Sequence, residues 1–359
     1  MSPRRRLSRK HLAKIGQLFI ATVLFGTAFS QQASAQIINF TSPVQLVDND
    51  ANQGSPTIIA GVNNFIPAQN GHVIMYYVNH SNNTIYADFD LRGNPQSTGI
   101  AVWSAEITDV GAAFIYPCRA STCPTMLLSY VAPDQNVSFV TSTDGVHFGP
   151  RVVPSPSSLG VGNQNPDPAL VPAITSITPG PSLALVATVG GSDHLVYMSE
   201  TADGQNFIEL YGTGQPVSNY RTVSRPSLAF WPGTNQILIG FTSNDPGTRV
   251  AVVGPANAGP GAPAVARGDI SWGNNNRDGN YAGIALTISA GYIYVFGQDT
   301  ASSQNLKYIY STNDTSWSGP VFPGNQMRWT PSLTDSSVVA LYLVYQDDGN
   351  TNISYRGRQ

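Results

Sequence analysis

The chain has 359 residues, 41% hydrophobic and only 11% charged, with 34 glycines, 26 prolines and two cysteines, which is enough length to bury a core and a composition rich in turn formers. Six of the 18 basic residues fall in the first 35 positions, where no acidic residue stands, so the remainder carries 12 basic against 21 acidic side chains, a net of −9. That sign argues against nucleic acid or an anionic membrane as partner, and the scarcity of helix formers (Glu106, Glu200, Glu209 and Lys307 are the only Glu and Lys beyond residue 35) points to strands and tight turns.

In chain order the first feature is a leader. Arg4, Arg5, Arg6, Arg9, Lys10 and Lys14 precede an apolar run at 15–29 and then Ala33-Ser34-Ala35, the tripartite form of a secretory signal. The run is shorter than the ~20 residues a spanning helix needs, so residues 1–35 are expected to be cleaved and the mature protein to be secreted or periplasmic. Arg5-Arg6 is compatible with a twin-arginine route.

The segment after the leader, Phe40-Thr41-Ser42-Pro43-Val44, reads as an outer strand, since it matches Phe148-Gly149-Pro150-Arg151-Val152 and Trp317-Ser318-Gly319-Pro320-Val321 further on. A phrase of the form small-Pro-small-apolar then opens a series of repeats. It stands at Ser55-Pro56-Thr57-Ile58, Asp167-Pro168-Ala169-Leu170, Arg225-Pro226-Ser227-Leu228 and Thr330-Pro331-Ser332-Leu333, with weaker copies at Val110-Gly111-Ala112-Ala113 and Tyr281-Ala282-Gly283-Ile284. Each start is followed by an alternating apolar strand, in order at 73–77, 126–130, 183–187, 237–241, 293–296 and 341–345. In five of the six a second strand ending in an aromatic follows, at 85–86, 137–139, 195–197, 308–310 and 353–355. Repeats of roughly 50 to 60 residues, each long enough for four strands and present six times, predict an all-β fold, a six-bladed β-propeller of four-stranded blades over 36–359 as a single domain. The sixth repeat ends after three strands, so the N-terminal strand is expected to complete the last blade and close the ring. Cys118 and Cys123 lie in a loop-like stretch of the second repeat, where an exported protein is expected to form a local disulfide.

Three turns after third strands share a further phrase: Ser142-Thr143-Asp144-Gly145-Val146-His147-Phe148, Thr201-Ala202-Asp203-Gly204-Gln205-Asn206-Phe207 and Ser311-Thr312-Asn313-Asp314-Thr315-Ser316-Trp317. They resemble the Asp-box of the sialidase-like, BNR-type six-bladed propellers. Locally the Asp or Asn side chain is suited to bonding amides of its own turn. The resemblance implies that these turns serve folding and lie opposite the functional face.

In a propeller the loops leading into the first strands and those joining second to third strands share one face. Residues at those positions include Ser55, Asp109, Asp167, Arg225, Arg277, Tyr281, Arg328 and Trp329, then His80, Asp134, Asp193, His194, Asp245, Asp299, Asp347 and Asp348. Arg225, Arg277 and Arg328 would converge beside the central channel with Trp329 as substrate-binding residues, and a fork of guanidinium donors suits a sugar carboxylate. Sialidases, which the chain resembles, use three arginines, a Tyr activated by Glu, and an Asp. Here Ser55 replaces the first arginine and no glutamate falls on this face, so Tyr281 would keep an ordinary phenol pKa near 10 and be a feeble nucleophile. Asp109 and Asp167 could instead act as an acid and base pair if their separation suits. Two readings follow: a secreted glycan-binding propeller without sialidase turnover, or an exo-acting glycoside hydrolase. A scaffold for protein partners is a third, since superfolds host unrelated functions. The expected ligand is a glycan or other small polar molecule, with no cofactor and no metal. His80 and His194 read as solvated turn residues, and Asp347-Asp348-Gly349-Asn350 as a hairpin turn that needs no calcium.

Overall fold

The computed structural model describes residues 44–46, 56–60, 73–79, 82–88, 100–104, 109–115, 126–176, 183–217, 219–222, 224–231, 233–234, 236–242, 248–255, 269–270, 283–298, 305–313, 315–324, 326–327, 330–334, 341–346 and 353–357. No helix occurs among them. The first strand, β1 (Val44–Leu46), is held for the last sheet. Sheet 1 is β2 (Thr57–Ala60), β3 (Val73–Asn79), β4 (Thr84–Asp88) and β5 (Ile100–Ser104). Sheet 2 is β6 (Val110–Phe114), β7 (Met126–Val131) and β8 (Val137–Ser142). Single bridges from Phe139 to Val152 and from Ser142 to Phe148 mark a fourth position at its outer edge.

Sheet 3 is β9 (Ala173–Ser176), β10 (Ala184–Val189), β11 (Val196–Thr201) and β12 (Ile208–Glu209); sheet 4 is β13 (Ser227–Trp231), β14 (Gln236–Thr242), β15 (Thr248–Pro255) and β16 (Asp269–Ile270). Sheet 5 is β17 (Ala285–Ser289), β18 (Tyr292–Gln298), β19 (Leu306–Ser311) and β20 (Ser318–Val321). Sheet 6 is β21 (Ser332–Thr334), β22 (Tyr342–Gln346) and β23 (Ile353–Gly357), and β1 is its fourth member, with Val44 opposite Tyr355 and Leu46 opposite Ile353. All pairings are antiparallel, in keeping with the short connections between consecutive strands.

The first strands β2, β6, β9, β13, β17 and β21 stand side by side around an axis, each against the next and β21 against β2. Both faces of a blade therefore meet a neighbour, which is why the second strands are apolar nearly throughout: β7 and β10 are buried at every position. Among the described residues, five apolar seams separate successive sheets. Tyr76 and Tyr130 lie in the first, Phe139 and Phe207 in the second with ring centroids 4.5 Å apart, Leu185 and Phe241 in the third, Leu238 and Ile293 in the fourth, and Tyr294 and Tyr345 in the fifth. Trp103 and Trp231 pack into the first and fourth seams, with the Trp103 indole N–H donating to the Tyr130 hydroxyl at 3.0 Å. Trp272 lies outside the described residues, as do Cys118 and Cys123.

The shared phrase at the repeat starts has a structural meaning. The serine after Pro226 and the serine after Pro331 each open an inner strand, and each accepts a backbone N–H from the inner strand of the next sheet: Ser227 Oγ from Leu286 at 2.9 Å, Ser332 Oγ from Ile58 at 3.0 Å. The third repeat corrects the expected register. Its inner strand begins at Ala173, which pairs with Ala187, so the working copy of the phrase is Val171-Pro172-Ala173-Ile174. Asp167-Pro168-Ala169-Leu170 precedes it as a turn, with the Asp167 N–H bonded to Val189 O at 2.8 Å.

Candidate functional site

The inner strands of all six sheets line a central cavity of about 560 Å³. Its described wall is a mixture of apolar residues and hydroxyls, the latter including Thr57, Ser176, Ser227, Thr287, Thr330 and Ser332, and Arg225 is the only charged side chain among the described lining residues. Arg225 is positioned by its chain neighbours. Pro226 favours an extended backbone before it, and the Thr222 hydroxyl, bonded at 2.8 Å to Ser224 O and at 3.0 Å to Thr242 O, ties the approaching segment to sheet 4.

From there the guanidinium crosses to sheet 2, where Nη1 donates to Val110 O at 2.8 Å. Gly111 makes room for it: a Cβ at that position would collide with Ser129 Oγ and stand 2.9 Å from Pro172 O and 3.1 Å from Arg225 Nη2. Burial lowers the Arg225 pKa from its ordinary value, and the charge of the half-buried Asp109 acts in the opposite direction. Asp109 thus lies within electrostatic reach of Arg225.

Asp167 has other partners. Its Oδ1 accepts the Ala169 N–H at 2.9 Å and its Oδ2 lies 3.3 Å from His194 Nδ1, with the Asp167 side chain only 13% exposed, and it is not among the described lining residues of the cavity. His194 occupies the left-handed position of the turn joining β10 to β11 (φ 59°), the geometry that Asn83 (φ 53°) and Gln135 (φ 62°) adopt in the corresponding turns of sheets 1 and 2. Its backbone conformation therefore belongs to the turn, and the Asp167 contact is what sequence reasoning missed. A further network in the same turn joins Asp193 to Gln164, to the Tyr197 hydroxyl and to the Leu195 N–H. Against the burial that would raise it, these bonds hold the Asp193 carboxyl below its ordinary value. Asp134 makes a bidentate pair with Arg151 at 2.7 and 2.8 Å. Ser55, Arg277, Tyr281, Arg328, Trp329, His80, Asp245, Asp299, Asp347 and Asp348 lie outside the described residues. Among the described residues no three metal-ligating side chains gather.

Strand alternation puts the turns after β8, β11 and β19 on the other face. There Asp144 Oδ1 accepts the N–H groups of Val146 (2.9 Å) and His147 (2.7 Å), Asp203 Oδ1 those of Gln205 and Asn206 (both 2.8 Å), and Asn313 Oδ1 those of Thr315 (3.1 Å) and Ser316 (2.9 Å). The three side chains are consumed by their own turns.

No family model and no curated protein matches the chain. Solved structures do. A lectin from Aleuria aurantia, described as a six-bladed β-propeller with a novel fucose recognition mode, aligns at 12% identity over 88% of this chain and 96% of its own, with a TM-score of 0.54. The fold is a six-bladed β-propeller. A Hadza microbial sialidase aligns with the propeller at 10% identity over 85% of this chain and 65% of its own (TM-score 0.58), and a Penicillium chrysogenum α-L-arabinanase complexed with arabinobiose at 11% over 88% and 97% (TM-score 0.54). At such identities the likeness carries the fold alone.

Proposed function

We propose that the chain is a carbohydrate-recognising propeller that holds a saccharide in its central cavity, anchored on Arg225, without sialidase-type turnover. The observation that carries this reading is a cavity of about 560 Å³ whose described wall sets hydroxyls and one guanidinium among apolar residues and holds no carboxylate. That volume falls in the range of small-ligand sites, and hydrolysis by the usual route needs two carboxylates flanking the bond. The Asp167 carboxylate is engaged by His194 and Ala169. Fold neighbours described as a fucose-recognising lectin, a sialidase and an arabinobiose-bound arabinanase support a glycan as the ligand class. The Asp-box resemblance and the leader-like N-terminus support a sialidase-like, exported protein, secreted or periplasmic.

An acidic-sugar ligand is the form of this reading that needs Arg277 and Arg328 beside Arg225. The second reading, an exo-acting glycoside hydrolase, is favoured by Asp109, whose charge reaches Arg225. A glycan array followed by reducing-sugar assay on every bound glycan separates the two. Binding without product, lost in Arg225→Gln and kept in Asp167→Asn, is the expected result. Product formation that falls by orders of magnitude in Asp109→Asn or Asp167→Asn would establish the hydrolase, because an amide keeps the shape but cannot exchange the proton.

A further inference from the structure

The cation in the cavity wall does not act alone. Arg225 Nη1 grips the Val110 carbonyl at 2.8 Å, and the residue immediately before Val110 is the half-buried Asp109. Its carboxylate acts on the guanidinium by charge. In a cleft of lowered dielectric opposite charges offset one another in part, so a ligand carboxylate attracted by Arg225 would also meet the opposing charge of Asp109. A hydroxyl meets no such repulsion. Each hydroxyl is both donor and acceptor, which matches guanidinium donors set among Ser and Thr oxygens. Ser227 and Ser332 strengthen the match, since each accepts a backbone N–H, from Leu286 and Ile58, and so presents its own proton as the remaining donor.

We infer that the central cavity selects a neutral, hydroxyl-rich saccharide over an anionic one, and that Asp109 sets this selectivity by compensating Arg225. The inference rests on the glycan-binding reading and narrows it to a ligand class.

The test is an array of neutral oligosaccharides and the same oligosaccharides carrying a sialic or uronic acid, with calorimetry on soluble pairs. The wild type is expected to hold neutral members about tenfold or more above their acidic counterparts, and Asp109→Asn to narrow that neutral-to-acidic ratio by about tenfold through a gain in acidic binding. A wild-type preference for acidic members, abolished in Arg225→Gln, Arg277→Gln or Arg328→Gln, would overturn the selectivity and leave glycan recognition standing. Unchanged acidic binding in a folded Asp109→Asn would remove Asp109 from the explanation. Absence of binding to any glycan would bring down the parent reading itself. Should Asp109→Asn not fold, the salt dependence of acidic binding to the wild type decides: weak binding that changes little with added salt fits a compensated Arg225, whereas tight acidic binding lost steeply with salt would mark an anion held by uncompensated cations and overturn the selectivity.

Discussion

At the scale of single residues, the side chains that look most chemical are the most committed to structure. Asp144 shows why. Against the burial that would raise it, the His147 side chain and the His147 and Val146 amides hold its carboxyl well below the usual carboxylate range, and Asp203 is lowered in the same way by Asn206 and Gln205. A folded pKa below the unfolded one means that the stabilisation is fully present above the unfolded value of about 3.9 and is lost as pH falls from there through the folded value. Asp144→Ala is therefore expected to cost about 1 kcal/mol near neutrality, as loss of a turn-capping acceptor does. The deficit relative to wild type should shrink in acid, and glycan binding per folded molecule should not change. Urea denaturation of both proteins on either side of that pH checks the sign.

Single elements are joined by a repeated device that the sequence spells out without explaining. Ser227 and Ser332 each latch one inner strand to the next, and the sheets that begin with Ala173 or Ala285 have no hydroxyl at that position. Ser227→Ala and Ser332→Ala should each cost about 1 kcal/mol, because the neighbouring N–H loses its acceptor. The costs should add in the double variant, since the two latches sit in different seams. Thermal or chemical melts of the three variants measure this, and strong non-additivity would mean that the ring transmits strain between them. The strands themselves were legible as short apolar runs between turn residues, although the expected alternation gives way to burial at every position in β7 and β10. The third repeat was not, because Asp167-Pro168-Ala169-Leu170 and Val171-Pro172-Ala173-Ile174 both fit the phrase four residues apart, and only pairing of Ala173 with Ala187 selects the second.

For the whole molecule, the N-terminal strand and the last strand share one sheet, with Val44–Leu46 against Ile353–Gly357. Removing residues 36–46 would leave β23 with an unpaired edge, and exposed edges recruit other strands. The truncated protein is expected to aggregate or melt at a clearly lower temperature, as light scattering and calorimetry would show. A monomeric truncation with an unchanged melting temperature would mean that the last sheet does not depend on its fourth strand.

Six repeats, their strand content and the self-capping turns were determined by the sequence alone, since each depends on residues a few positions apart: the apolar run of a strand, Asp144 bonding the amides two and three residues on. The site was legible only as a set of candidates on one face. Which of them meet was decided by tertiary structure, because the contacts span sheets. Arg225 reaches a carbonyl 115 residues away at Val110, passing Gly111, where a Cβ would stand 3.1 Å from its guanidinium. Asp167, equally prominent in sequence, is turned instead to His194 by the register of a strand that begins six residues later, at Ala173. Local patterns fix which face a side chain is on, whereas the packing of successive blades fixes what it faces.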